Sequence, residues 1–409
     1  MAPGAAGAAV IGLVALLGVV TVSPRGPVRL LSEAVARAGA GDTIVVTAGR
    51  YLESGPIRIV RQVTILGRGR PVIVGRGDHT ILVITAAGVT VSGLGFEHVE
   101  PMSTDDRAAI RLEGATGCLI QDNHIRDTYF GIFGAKVLDC RIVGNRVTGP
   151  GRSEQASGNA IQFWSSSRIT VQGNTVTGHR DGIYLEFVTG SVLAENESRA
   201  NQRYGLHFMF SDSCSYRKNR FIGNGAGVAV MYSKRVTMEE NEFADNRGPA
   251  AYGLLLKDIT DGAIRGNWFR GNTAGLYLEG SNRLQVSGNR FEANGWALRL
   301  LANSVGNRFE GNVFIGNAFD VATNSRTAES TFSGNYWDHY RGFDRNRDGR
   351  GDLPHRPVRL FSLVVEQNSP ALILLRSLFV DLLDQAERVL PILTPELLVD
   401  SAPLMEPPR

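Results

Sequence analysis

The chain has 409 residues, of which 43% are hydrophobic, and its formal net charge is +3 at pH 7. A chain of this length can bury a long core, and the small net charge without a basic run argues against nucleic acid as a partner. The 48 glycines suit an all-β fold that is dense in turns.

The N-terminal segment is apolar and carries no charged side chain before residue 25. This pattern predicts a secretory signal peptide or an N-terminal anchor over residues 1–23, and therefore export of the chain. Residues 30–38 then show a helical pattern, and a first strand begins near Gly41. We expect this helix to cover the open end of the β-structure that follows, because exposed strand edges need protection.

An asparagine recurs through the middle of the chain with gaps of 22 to 29 residues, most of them 22 or 23. A fixed period of this size indicates a solenoid, in which each repeat buries its core only against its neighbours. The recurring positions are Asn123, Asn145, Asn174, Asn196, Asn219, Asn241, Asn267, Asn289, Asn312 and Asn335.

Each repeat contains apolar residues three positions before the asparagine and, with the exception of Ser198, two positions after it. A second strand, usually opened by glycine, follows with period two, and no helix fits between asparagines 22 residues apart. The pattern predicts an all-β fold, a right-handed parallel β-helix over residues 28–360 with coils of about 22 residues. We expect an asparagine ladder at a turn, an interior stack of phenylalanines, and longer loops at 149–158 and 247–251 on the working face.

The three cysteines, Cys118, Cys140 and Cys214, each stand five residues before one of the asparagines. Two interpretations remain open for this column of the solenoid. It is a buried column of small residues, or Cys118 and Cys140 on adjacent coils form a disulfide. Copper binding by these thiols is the weakest of the options.

A polar loop in the C-terminal third matches the opening of a calcium-binding loop. Asp344, Asn346 and Asp348 supply oxygen atoms at positions 1, 3 and 5, and Arg350 and Asp352 continue the loop over 344–352. Because position 12 lacks the usual glutamate, the alternative is a polar turn that closes the solenoid. A calcium ion bound here would be structural.

Residues 369–398 predict an amphipathic C-terminal helix that is too charged to span a membrane comfortably. Such a helix caps the solenoid, lies at a membrane surface or docks on a membrane partner. The proline-rich segment 399–409 is predicted to be a disordered tail.

The register of the glycine-led strands predicts which side chains face outward. Met209 and Met231 project outward on adjacent coils, His207 lies two residues before Met209 on the same face, and Glu186 flanks them. Two thioethers and an imidazole are ligands that select Cu(I). The alternative is that the methionines form a small satellite core beneath a loop.

A triplet at 179–181, His-Arg-Asp, precedes another of these strands. It is a weak candidate for catalysis in a polysaccharide-cleaving β-helix, and a locally bonded turn is the more frequent explanation.

Several segments resemble the NosD family, whose members are periplasmic copper-processing proteins of nitrous oxide reductase maturation. The resemblance covers roughly residues 28–398. The segments that carry it are 157–164, 178–187, 203–210, 225–231, 251–257, 294–300 and 335–338.

The resemblance implies a non-enzymatic β-helix that receives Cu(I) and delivers it to the apo-enzyme. The implied partners are an ABC transporter, made of a membrane subunit and an ATPase, a lipoprotein copper chaperone and nitrous oxide reductase. The C-terminal helix would then dock on the membrane subunit, which accounts for the membrane contact. The alternative function is a lyase or epimerase acting on uronate polymers, and it needs a cluster of acid and base groups along a groove.

Overall fold

The computed structural model describes residues 18–102, 105–151, 153–324, 329–375, 377–389 and 398–408. Within these residues the chain forms a parallel β-helix, as predicted, with three parallel sheets along its length. Each complete coil contributes one short strand to each sheet, and we name the sheets A, B and C in the order in which a coil visits them.

The strand bounds follow for the described residues. Sheet A contains Val19–Val22, Thr43–Val46, Thr64–Gly67, Thr90–Ser92, Leu119–Gln121, Arg141–Val143, Thr170–Gln172, Val192–Ala194, Ser215–Arg217, Thr237–Glu239, Ala263–Arg265, Gln285–Ser287, Arg308–Glu310 and Thr331–Ser333. Sheet B contains Arg50–Leu52, Val72–Gly77, Gly95–Val99, His124–Thr128, Arg146–Thr148, Thr175–Thr177, Glu197–Arg199, Arg220–Ile222, Glu242–Ala244, Trp268–Arg270, Arg290–Glu292, Val313–Ile315 and Tyr336–Trp337. Sheet C contains Ile57–Ile59, Leu82–Ile84, Ala108–Glu113, Phe130–Ala135, Ile161–Trp164, Asp181–Glu186, Tyr204–Met209, Ala226–Met231, Leu254–Lys257, Ala274–Glu279, Trp296–Leu300 and Phe319–Thr323.

The predicted register of sheet C is confirmed. Ile183 pairs with Leu206, and Leu206 pairs with Val228, so one apolar column runs through the interior. All three side chains are fully buried, whereas Tyr184 and Glu186, the alternate residues of the same strand, are half-buried on the outer surface. Period two in the sequence therefore decides which residues face out.

The asparagine ladder is also confirmed, at the turn between sheets A and B. From Asn123 to Asn312, each side-chain Nδ2 donates to Oδ1 of the next ladder asparagine at 2.9–3.0 Å. The same Oδ1 accepts the backbone N–H of the preceding ladder residue. Each buried side-chain amide therefore also satisfies a buried backbone N–H in the turn of the preceding coil.

A second asparagine ladder occupies the turn between sheets B and C, and the sequence analysis did not identify it. Its members stand five residues after members of the first ladder, a spacing that was available as a signal. They are Asn201, Asn224, Asn246, Asn272, Asn294 and Asn317, joined by Nδ2–Oδ1 hydrogen bonds of 2.9–3.3 Å.

The predicted aromatic stack fills the interior beside sheet B. Neighbouring rings lie nearly parallel, with centroids 4.1–5.5 Å apart. Offset stacking adds to the burial of large apolar surfaces, so this column is a principal part of the core. The stacked residues are Phe221, Phe243, Phe269, Phe291, Phe314 and Trp337.

Helix α1, Leu31–Arg37, covers the N-terminal end as predicted, with Leu31, Ala34 and Val35 buried in the core. The solenoid starts earlier than expected, because Val19–Val22 pairs in parallel with Thr43–Val46. This strand lies within the predicted signal or anchor segment and before the predicted start of the β-helix at residue 28, and its β-branched residues continue sheet A. The rest of the predicted signal or anchor, residues 1–17, lies outside the described residues.

The C-terminal region does not form the single helix that was predicted. In place of one helix over 369–398, helix α2 at Leu360–Gln367 is followed by a 3-10 helix at Ser369–Leu374 and by helix α3 at Leu378–Val389. Proline near the start of the 3-10 segment restricts the backbone there, and residues 390–397 lie outside the described part. None of the helices in the described ranges combines the length and apolar character needed to cross a membrane.

The tail was predicted to be disordered, and residues 398–408 are instead packed on the last coil. Asp400 is fully buried, and its Oδ2 accepts hydrogen bonds from the backbone N and Nδ2 of Asn335 and from Nε1 of Trp337. The carboxylate thus ends the first ladder where the next asparagine would stand. A proline-rich composition alone does not reveal such a capping carboxylate.

The cysteines occupy the buried column. All three are buried free thiols, and the backbone N–H of Cys118 contacts Sγ of Cys140 at 3.4 Å. The structure agrees with the interpretation as small core residues.

Candidate metal centre

The predicted copper ligands lie on the outer surface of sheet C, over three consecutive coils. Glu186, Met209 and Met231 are neighbours in exact register, and all three are half-buried. Adjacent parallel strands are about 4.8 Å apart, so the backbones of Met209 and Met231 are one strand spacing apart. The outward orientation predicted for the methionines is confirmed.

His207 lies one column away from this line, in register with Tyr184 on one side and Ala229 on the other. Its side chain is only 7% exposed, and its ring sits between those of Tyr184 and Tyr204, with both centroid distances 4.8 Å. Its Nε2 is buried and has no hydrogen-bond partner among the described residues. A buried ring nitrogen without a partner is a candidate ligand atom.

Tyr184 contacts both His207 and Met209. Its hydroxyl donates to Sδ of Met209 at 3.8 Å, while its ring packs on His207. Burial, together with the nearby carboxylate of Glu186, raises the pKa of Tyr184 to about 12. Tyr184 is therefore a neutral phenol at physiological pH.

A buried ion pair lies on the other side of His207, and the sequence analysis did not identify it. Nε and Nη2 of Arg203 hold the two oxygens of Asp181 at 2.9 and 2.5 Å, and Asp181 is fully buried. Burial alone would favour the protonated acid, but hydrogen bonds from Arg203 and His207 outweigh it and hold the pKa of Asp181 below its usual value. The ion pair between Asp181 and Arg203 therefore lies next to the imidazole ring of His207.

Asp181 belongs to the triplet at 179–181 that was weighed as a catalytic candidate. His179 is fully buried in the column of the second ladder, and its backbone N–H donates to Oδ1 of Asn201 at 3.2 Å. Burial lowers the pKa of His179 to about 4, so it remains neutral. These contacts agree with the locally bonded turn.

Three exposed aromatic side chains follow the copper column directly in the chain. Phe187, Phe210 and Tyr232 come immediately after Glu186, Met209 and Met231, and they stack with centroid spacings of 5.1 Å. Each has a positive φ, of 54°, 49° and 54°, a conformation that is unfavourable for a bulky residue. We call this set the outer aromatic ladder; no sequence signal identified it.

Towards the C-terminus the same face continues as a groove of about 440 Å³. Tyr252, Tyr277 and Trp296 line it from sheet C and its loop, and helix α2 closes one side. Both oxygens of Glu366 in α2 accept from Nη2 of Arg299 at 2.8 and 2.9 Å. The C-terminal helices are thus attached to the face that carries the methionines.

The calcium-like loop satisfies its oxygens internally. The two oxygens of Asp344 accept the backbone N–H groups of Asp348 and Gly349, and Oδ2 of Asp352 accepts that of Arg345. This is the geometry of a polar turn. The role of Asp344, Asn346, Asp348, Arg350 and Asp352 in calcium binding stays a prediction that no contact in the loop supports.

The chemistry of the donor set fits a soft ion better than a hard one. Across the described residues, no three His, Cys, Asp or Glu side chains converge as a metal-binding group. The two thioethers and the free imidazole nitrogen lie outside that class of cluster, and they are ligands that favour Cu(I).

Comparison with known proteins identifies the family. The family model described as "Periplasmic copper-binding protein (NosD)" matches residues 143–342. A protein of Stutzerimonas stutzeri named "Probable ABC transporter binding protein NosD" is 31% identical over 381 residues, covering 88% of this chain and 86% of that protein. The chain belongs to the NosD family. A Pseudomonas aeruginosa protein of the same name is 30% identical over 386 residues, covering 89% of this chain and 88% of that protein.

Two solved structures with the same fold are a glucanase and an alginate lyase. A GH87 α-1,3-glucanase from Streptomyces thermodiastaticus has a TM-score of 0.64 at 14% identity, covering 78% of this chain and 69% of that chain. The alginate lyase AlyF-OU02 has a TM-score of 0.60 at 14% identity, covering 78% and 85%. At this identity the likeness shows the β-helix fold alone.

Proposed function

We propose that this NosD-family protein is a periplasmic accessory protein that receives Cu(I) and delivers it to apo nitrous oxide reductase. It acts in complex with an ABC transporter, and a lipoprotein chaperone supplies the ion. The observation that carries the proposal is the register of Met209 and Met231 on adjacent coils, together with His207, which stands two residues before Met209 in the same strand and has an unpartnered Nε2. The family description as copper-binding and periplasmic supports the cargo and the compartment.

In the proposed site Met209 and Met231 supply the sulfur ligands and His207 the nitrogen ligand, with Glu186 at the edge. Thioethers bind Cu(I) without carrying charge, so the ion can be passed on to a partner without breaking a thiolate bond. The half-buried position of the methionines leaves the ion accessible from one side.

Maturation of nitrous oxide reductase in cells tests this site. Met209→Leu with Met231→Leu keeps the apolar volume and removes both sulfurs, and we expect the copper content of the reductase to fall at least tenfold. Met102→Leu is the matched control, because Met102 is an exposed methionine far along the chain from this face. Wild-type copper loading by the double variant would show that the site is elsewhere.

We further propose that the C-terminal helices dock on the membrane subunit of the transporter. Ile373, Leu378 and Leu382 are 91%, 80% and 65% exposed, an unusual concentration of large apolar side chains. The name of the relatives as ABC transporter binding proteins supports this partner.

Co-purification with the transporter tests the docking surface. We expect Ile373→Ser with Leu378→Ser and Leu382→Ser to abolish recovery of the complex while the solenoid remains folded. Val60→Ser, at an exposed residue of the N-terminal coils, is the control. Recovery of the complex by the triple variant would place the contact elsewhere.

The accessory role proposed here is not catalytic. A uronate lyase or epimerase is the alternative, and it would need acid and base groups exposed along a groove. Asp181 is fully buried and held by Arg203, and the side chain of His179 is also fully buried, so neither is exposed along a groove. Turnover of a uronate polymer by the pure protein would favour the enzyme.

A further inference from the structure

His207 has a different environment at each ring nitrogen. Its Nδ1 lies 3.5 Å from Oδ2 of Asp181 and 3.4 Å from Nη2 of Arg203. Its Nε2 has no partner among the described residues, although it is buried. The contacts on the Nδ1 side therefore decide which nitrogen carries the proton.

The two neighbours of Nδ1 have opposite roles in hydrogen bonding. Arg203 can only donate: its Nε and Nη2 hold both oxygens of Asp181, and the second hydrogen of Nη2 can bond either to an unprotonated Nδ1 or to solvent, because the Arg203 side chain is 33% exposed. An ionised Asp181 can only accept. A proton on Nδ1 gives the imidazole an acceptor in Asp181, whereas a proton on Nε2 would leave a buried N–H donor without any acceptor, which is the rarer defect in proteins.

We propose that Asp181 is a positioning residue: it accepts the Nδ1 proton of His207 and so leaves the Nε2 lone pair free for the Cu(I) ion. Metal-binding histidines commonly donate their other N–H to a carboxylate, which fixes the tautomer and the ring orientation. Arg203 holds Asp181 in place, and the rings of Tyr184 and Tyr204 fix the plane of the imidazole. The inference rests on the proposed copper function and adds Asp181 and Arg203 to the site.

The first measurement is the tautomer of His207 in the whole protein, from nitrogen-15 NMR of histidine-labelled protein. The resonance that is missing from His207→Gln gives the assignment. We expect the Nδ1–H tautomer in the copper-free protein and a large shift of the Nε2 signal when Cu(I) is added. An Nε2–H tautomer in the wild-type protein would overturn the proposal.

The second measurement is the Cu(I) affinity of variants by chelator competition. Asp181→Asn presents an amide N–H towards Nδ1 and should reverse the tautomer, weakening binding by 10- to 100-fold. Asp139→Asn, at an exposed carboxylate that pairs with Arg168 on the neighbouring coil, is the control and is expected to bind within about threefold of wild type. Far-UV circular dichroism checks that both variants are folded, and if Asp181→Asn is not, the wild-type NMR result decides.

The outcomes separate this inference from the proposed function. Wild-type affinity in a folded Asp181→Asn variant, with binding still lost in the methionine double variant, overturns the role of Asp181 and leaves the copper function intact. Failure of the wild-type protein to bind Cu(I) overturns both.

Discussion

Two turns of the solenoid use their repeated positions in different ways. At the turn between sheets A and B, asparagine occupies the same buried position from Asn123 to Asn335, and each amide bonds to the next. At the turn that follows sheet C, one position with positive φ is filled by different residues from coil to coil. They are Lys136, Ser165, Phe187, Phe210, Tyr232, Asp258 and Gly280.

The difference separates structural demands from functional ones. A ladder works only if every coil supplies the same side chain, so its residues follow from the repeat. The need to form a turn does not explain bulky aromatic residues with positive φ, because glycine and small polar residues adopt that conformation at lower cost. The three aromatics occur on the coils that also carry Glu186, Met209 and Met231, where the repeat is broken on the outer face.

The largest expected effect compares the inner aromatic stack with the outer aromatic ladder. Phe243→Ala removes a fully buried ring between two stacked neighbours, and we expect a loss of about 4 kcal/mol in the free energy of unfolding. Phe210→Ala, at an exposed ring, is expected to cost about 1 kcal/mol, mainly lost stacking. Denaturant unfolding measures both, and equal losses would mean that the outer ladder is part of the core.

The next effect concerns the end of the first ladder. Asp400→Ala leaves the backbone N–H and Nδ2 of Asn335 and Nε1 of Trp337 without their acceptor, and we expect a loss of about 3 kcal/mol. Asp400→Asn keeps one acceptor oxygen and should lose about 1 kcal/mol. Thermal unfolding distinguishes the two; an unchanged Asp400→Ala variant would show that the tail does not cap the ladder.

The end of the second ladder predicts a pH dependence. Oδ1 of Asp320 accepts from Nδ2 of Asn317, and burial, with the charge of Asp338, raises the pKa of Asp320 from its ordinary 3.8 to about 7. The folded state therefore holds a proton that the unfolded chain releases between these pH values. This contribution to stability is fully present below the unfolded pKa and is lost as the pH rises through the folded pKa.

We expect the contribution of Asp320 to the free energy of unfolding to diminish by about 2 kcal/mol between pH 5 and pH 8. Asp320→Asn cannot titrate and should lack this component. Unfolding curves of both proteins across that range provide the check, and identical pH profiles would contradict the assignment.

The smallest expected effect is at the methionines themselves. Met209→Leu with Met231→Leu should change the free energy of unfolding by less than about 1 kcal/mol, because both side chains are half-buried and leucine conserves their volume. Chemical denaturation gives the value. A loss of several kcal/mol would favour the satellite-core interpretation over the metal centre.

Much of the fold could be predicted because the same pattern of apolar residues and asparagines recurs in successive coils. The inward columns, the first ladder and the phenylalanine stack follow from periodicity alone, and the structure confirms them. The prediction was wrong at the ends, where no repeat constrains the chain. Asp400 caps a ladder from a distance of 65 residues, a relation that local composition does not contain.

The site was predicted in part for the same reason. Register placed Met209 and Met231 side by side, because their strands belong to the repeat. The Asp181–Arg203 pair was missed because it joins different columns of adjacent coils and depends on side-chain direction. The outer aromatic ladder was missed because its residues lie just past the strands, where the alternation of inward and outward residues no longer applies.

The central claim is that the outer face of sheet C carries a Cu(I) site, and anaerobic Cu(I) titration with a competing chelator tests it most directly. The purified wild-type protein is compared with the triple variant Met209→Ala, Met231→Ala and His207→Ala. We expect tight binding of Cu(I) by the wild-type protein and its loss in the variant. Absence of binding by the wild-type protein, or equal binding by the variant, would contradict the account and leave copper to a partner protein or to another part of the chain.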